Sequence, residues 1–330
     1  MADETLESLI SRLASPDPLE RMHAANALGS FGAPPALSPE LLGAIAKQTS
    51  PGSTAARARE LLMGLRGRST AVAAVPALTA ALADPDARVR GLAASALGKI
   101  GAPAAAAIPG LCALLQDDLP ATRVLVAAAL GQIGDPGAVS ALTSALDDPA
   151  HEVRARAAFA LGRIGPPAVT VATRLAACLK DPSLEVQERA AHALGMLGAG
   201  VAEEALVALA AAAASPGAAV RCGAVCSLGR LGARAELETI VRALEDPDAL
   251  VRGSAAQALR ALGWSSPEGV EALVRALGDA EAVVRRDVVL ALAALGGEVA
   301  ARALAEHTDA DPRVREALAQ AGATQGGGGG

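Results

Sequence analysis

A Leu-Gly dipeptide recurs at Leu97-Gly98, Leu130-Gly131, Leu161-Gly162, Leu194-Gly195 and Leu228-Gly229, at intervals of 33, 31, 33 and 34 residues. A period of that length means a stack of small units, each touching only its neighbours along the chain. Two further anchors hold the same phase. Fourteen residues before the Gly comes an Asp, usually as Asp-Pro, at Asp84, Asp148, Asp181 and Asp246, with Asp117-Asp118, Ser215-Pro216 and Asp279-Ala280 as variants. Val-Arg follows at Val89-Arg90, Val153-Arg154, Val220-Arg221, Val251-Arg252 and Val284-Arg285.

Each anchor has a physical task. Asp accepts backbone N–H bonds and Pro suits the first helical position, so Asp-Pro predicts a helix start with Asp as N-cap. Gly101, Gly134, Gly165, Gly198, Gly232 and Gly263 predict its left-handed stop, about sixteen residues on. A shorter periodic run before each Asp, such as Ala138 to Leu146 or Val270 to Leu277, predicts a first helix. The expected fold is all-α, an α-solenoid of about nine to ten helical hairpins.

Composition narrows the repeat type. Aromatic residues make up 1% of the chain against 52% hydrophobic. Tetratricopeptide units need several aromatics each, and the Thr-Pro-Leu-His turn of ankyrin units is absent. The Asp-Pro, Val-Arg, Ala-Ala and Ala-Leu-Gly order resembles the HEAT-repeat family, an armadillo-like helical architecture, in the short form found in phycobilisome lyases. The resemblance runs from about residue 9 to 322. On this reading 1–70 holds degenerate capping repeats, around Leu28-Gly29 and Met63-Gly64. Residues 71–322 are regular repeats continuous with them, and 323–330 form a flexible Gly-rich tail. The resemblance implies a scaffold or adaptor.

Formal charge is -6 with a pI near 5.4, which argues against a grip on nucleic-acid phosphates. An acidic start without an apolar leader, no membrane-length apolar run, and four cysteines without a disulfide spacing all set cytoplasm as the expected compartment. Arg outnumbers Lys 26 to three, which with the Ala excess suggests a GC-rich bacterial genome.

The recurrent acids and arginines are read as a structural ladder that sets repeat registry: Asp84, Arg90, Asp117, Arg123, Asp148, Arg154, Asp246, Arg252, Asp279 and Arg285. Each Arg is matched to the Asp six residues before it, and Gln187 interrupts the series. Counting from the Asp, positions 5, 9, 12, 13 and 16 of the second helix are expected inside and 4, 7, 11 and 15 outside, with 8 on their flank. On the outer, concave face the middle repeats gather Arg156, Phe159, Arg163, Arg189, His192, Met196 and Arg230. Arg, Met and aromatic residues are enriched in protein interfaces, so this patch is the expected docking site for an acidic segment of another protein.

No catalytic set is read from the sequence. Cys222, Cys226 and His192 share a neighbourhood but fall short of a Zn ligand set. One His-Glu dipeptide, His151-Glu152, stands where the di-iron centre of HEAT-like deoxyhypusine hydroxylases uses four. No metal or cofactor is expected. The alternative reading is a lyase-like or chaperone-like accessory subunit acting on a cofactor or client protein.

Overall fold

In every described copy a short first helix leads through a tight turn into a longer second helix, and within each unit the second helices of successive copies lie side by side. The structure, a computed structural model, describes residues 5–30, 71–198 and 200–326. Among these, eighteen α-helices and several short 3-10 turns account for the secondary structure. The chain divides into two units, 1–164 and 165–330.

In the first unit α1 (Leu6–Arg12), α3 (Val75–Ala81), α5 (Ile108–Ala113) and α7 (Val139–Ser144) are first helices. They pack on α2 (Pro18–Ser30), α4 (Ala87–Ile100), α6 (Pro120–Ile133) and α8 (His151–Ile164), which themselves stack in that order. In the second unit α9 (Ala172–Cys178), α11 (Glu203–Ala212), α13 (Leu237–Arg242), α15 (Pro267–Ala276) and α17 (Glu298–Glu306) are the first helices. Their partners, again stacked in order, are α10 (Leu184–Met196), α12 (Ala218–Arg230), α14 (Ala249–Leu262), α16 (Ala282–Leu295) and α18 (Pro312–Gly326).

The glycine stops fall where the spacing predicts. Gly101, Gly134, Gly165, Gly198, Gly232 and Gly263 have φ from 59 to 79°, a region that costs other residues strain. The helix starts differ from expectation. α4 and α14 begin at Ala87 and Ala249, with Asp86 and Asp248 as their N-caps. The repeat Asp lies two residues before the cap. Its carboxylate accepts the N–H of the residue two places on, at 2.9 Å for Asp84, Asp117, Asp148 and Asp246 and 2.8 Å for Asp181 and Asp279. This is an Asx turn, with Pro85, Pro149, Pro182 and Pro247 in its bend and outside the helix. The regular second helices are therefore 13 or 14 residues long, shorter than the expected sixteen.

Short side chains fill the interior. The repeat Leu residues Leu28, Leu97, Leu130, Leu161, Leu194, Leu228, Leu259 and Leu292 are fully buried, as are first-helix residues Leu78, Leu111, Leu142, Leu175, Leu209, Ile240 and Leu273. Burying each such side chain is worth about 1.5–3 kcal/mol before entropy is counted. Position 10 is also inside, as Ala94, Ala127, Ala158, Ala191, Val225, Ala256 and Val289, because adjacent second helices close over it. The Gly of Leu-Gly lies inside for the same reason. A Cβ on Gly98 or Gly131 would stand 2.7 or 2.8 Å from the Cα of Ala129 or Ala160, and on Gly195 or Gly229 2.9 or 2.6 Å from the Cα of Ser227 or Ala258.

Both ends add to the sequence reading. Leu28-Gly29 occupies the regular position, and a Cβ on Gly29 would meet the Cα of Ala96 at 2.9 Å. Thus α2 stacks directly on α4, although the copy around Met63-Gly64 falls between them in sequence; that copy lies outside the described residues. At the other end α18 runs to Gly326, so helix continues into the stretch expected to be a flexible tail from 323. No described helix is long and apolar enough to cross a membrane.

Candidate functional site

The charged edge of the stack forms first from the turn. The Asx turn fixes one carboxylate edge of each repeat Asp, and the repeat Arg, one turn into the second helix, reaches back over its own Pro. Its Nη1 donates to the carbonyl of the Asp six residues earlier, at 2.8 Å for Arg90, Arg123, Arg252 and Arg285 and 2.9 Å for Arg154. The carboxylate partner belongs to the following repeat, which corrects the pairing expected from spacing. In the first unit Arg21 meets Asp84, Arg90 meets Asp117 and Arg123 meets Asp148, with closest contacts of 2.6, 2.6 and 2.7 Å. In the second, Arg221 meets Asp246, Arg252 meets Asp279 and Arg285 meets Asp309 at 2.7, 2.6 and 2.6 Å. Each guanidinium therefore ties two layers together, a backbone carbonyl in one and a carboxylate in the next.

Electrostatics follow this geometry. At Asp279 and Asp309 the hydrogen bonds from Arg252 and Arg285 act most strongly and hold the carboxyl below the usual carboxylate range. At Asp148 and Asp246 burial is the largest influence and works upward. The Arg123 and Arg221 bonds together with a backbone N–H outweigh it, so both are lowered. These arginines are committed to the stack.

Gln187 occupies the Arg position in α10, and the acid expected opposite it is Ser215. Gln187 Nε2 donates to the Asp181 carbonyl at 2.7 Å, and the Ser215 hydroxyl donates to Gln187 Oε1 at 3.3 Å. A neutral pair thus takes the place of an ionic one. The signal was present in the sequence as two separate departures from the repeat, one in each of two successive copies.

The outer face of the second helices carries the other candidate residues. On α8, in the first unit, Arg156 and Arg163 are exposed and Phe159 is half-buried; Arg163 Nε also donates to the Gly131 carbonyl at 3.1 Å. On α10 and α12, in the second unit, Arg189, His192 and Met196 are half-buried and Arg230 is exposed. Positions 11 and 15 are never buried in either unit's regular repeats. Burial pushes the His192 imidazole below its ordinary value, against the opposing pull of Glu188, so the ring is neutral at neutral pH. Spacing also places Arg286, at position 7, on this face, while Arg260 holds position 14, which spacing assigns to the interior. Arg260 was missed because it breaks the Leu-Gly motif, and it is exposed where five other repeats carry a buried Gly. Behind this face Asp287 is buried, accepting from Gln257 Nε2 at 2.7 Å and from Arg286 at 2.8 Å.

All four cysteines are free thiols. Among the described residues no three His, Cys, Asp or Glu side chains converge as a metal set. Cys222 and Cys226 nonetheless face the same side of α12, where Cys222 Sγ lies 3.1 Å from Ser254 Oγ of α14.

A family profile described as HEAT repeats matches the chain over residues 75–158, 108–195, 145–219, 171–260 and 256–323. Among solved structures, an engineered protein superposes with a TM-score of 0.51 at 23% identity, covering 98% of this chain and 99% of that one. The complex of CpcE and CpcF of phycocyanin lyase from Nostoc matches at 24% identity with a TM-score of 0.46, over 83% of this chain and 94% of that one. Human deoxyhypusine hydroxylase matches at 26% identity with a TM-score of 0.35, over 84% and 97%. No curated protein sequence matches the chain.

Proposed function

The chain belongs to the HEAT-repeat family, and from that premise we propose that it is a non-catalytic scaffold or adaptor that binds an acidic segment of another protein on the outer face of its second helices. The observation that supports this most is the division of its arginines into two classes. Arg21, Arg90, Arg123, Arg221, Arg252 and Arg285 are consumed by carboxylates of the neighbouring repeat. Arg156, Arg163 and Arg230 project from second helices into solvent, outside that ladder. Basic side chains accompany Phe159 in the first unit and Met196 with the neutral His192 in the second. Charge and apolar area together are the mixture that interface anchors use. An acidic partner follows from complementarity, since like charge placed opposite these arginines would be repelled.

The test is capture of the partner from the native cell followed by titration of the purified pair. Replacing Arg163, Arg189 and Arg230 together with Glu should weaken binding at least tenfold at unchanged helicity, and binding to the unaltered chain should weaken as salt rises. Unchanged affinity in the folded variant would overturn the reading.

A further inference from the structure

Two thiols on α12 have no part in the ladder and are not needed by the proposed partner surface. Cys222 and Cys226 are one helical turn apart, both are partly exposed, and neither is in a disulfide. Across from them Ser254 Oγ on α14 lies 3.1 Å from Cys222 Sγ. We propose that Cys222 and Cys226 form a two-coordinate thiolate site for a soft monovalent d10 cation, Cu(I) above all.

Helix geometry selects this chemistry over its competitors. Positions four apart on a helix keep their Cβ atoms about 5–6 Å apart, whereas a disulfide draws them to about 3.5–4.5 Å. α12 therefore opposes oxidation of the pair while leaving both sulfurs pointing the same way. A linear S–M–S unit spans two metal–sulfur bonds, each near the ~2.3 Å typical of metal thiolates, and that span suits the Cβ spacing. Zn(II) asks for four ligands in a closed tetrahedral site, and among the described residues no third His, Cys, Asp or Glu joins these two. Soft thiolates alone in low coordination number select Cu(I).

Proton balance is simple. Binding forms two S–M bonds in place of the two S–H bonds and releases both protons to solvent, with no electron transferred. Arg230 then faces the single negative charge that remains.

The test is anaerobic titration of the full chain with Cu(I) presented as its bicinchoninate complex, read from loss of the complex's colour. The unaltered chain and the variant lacking the other two thiols, Cys112→Ala with Cys178→Ala, should each withdraw one equivalent. Cys222→Ser and Cys226→Ser should each lower the affinity at least tenfold with the helical circular-dichroism signal unchanged. Failure of the unaltered chain to withdraw Cu(I), equal withdrawal by all four proteins, or retention of Zn(II) in preference to Cu(I) would overturn the proposal.

Discussion

At the residue scale, the pairing of Gln187 with Ser215 shows why the two substitutions belong together. An Arg at 187 would lose its carboxylate partner while Ser215 stands opposite, and an Asp at 215 would face only an amide. A partly buried charge without a counter-ion costs more than the charge pair is worth when intact. Gln187→Arg and Ser215→Asp should therefore each lower the urea midpoint when made singly. The double variant should recover the loss, with a favourable coupling of about 0.5–3 kcal/mol, because it recreates the geometry of Arg221 with Asp246. Additive effects in the double-mutant cycle would show that no rung forms there.

At the scale of helices, the Leu-Gly motif is a packing device. Gly229 lets α12 approach α14 until only the missing Cβ separates it from the Ala258 backbone, 2.6 Å from where that atom would be. The close neighbour is a main-chain carbon that no rotamer change can move. Gly229→Ala should destabilise by about 1–3 kcal/mol, the usual cost of overpacking, despite the better helix propensity of Ala. Gly322, in α18, has no described atom beyond its own stretch of helix within 4 Å of where its Cβ would stand, and Gly322→Ala should be neutral or stabilise by up to about 1 kcal/mol. Equal effects of the two substitutions in chemical denaturation would remove the close approach as the reason for the regular recurrence of the motif along this chain.

At the scale of the molecule, each unit is tied through carboxylates whose folded pKa values lie below their unfolded ones, Asp148 in the first and Asp246, Asp279 and Asp309 in the second. A carboxyl depressed on folding adds stability that is fully present above its unfolded value of about 3.9 and is lost as pH falls through the folded value. The urea midpoint should accordingly hold level from about pH 8 to 5 as far as these groups are concerned, then fall steadily below about pH 4. A midpoint unchanged down to about pH 2 would show that the rungs contribute nothing.

The sequence by itself determined what depends on distance along the chain: the all-helical repeat, the glycine stops at Gly101 to Gly263, the buried Leu column, and the outward columns bearing Arg156, Phe159, Arg163, Arg189, His192, Met196 and Arg230. Helix periodicity and left-handed stops are local, so a fixed spacing is enough to read them. Only the tertiary structure decided what depends on contact between layers. Asp84 pairs with Arg21, 63 residues away, while Arg90 six residues on bonds only its carbonyl. That choice is made by the offset between neighbouring second helices, which no interval within one repeat contains. The same offset buries position 10 and the Leu-Gly glycines, brings α2 against α4 across the intervening sequence, and lets Ser215 answer Gln187.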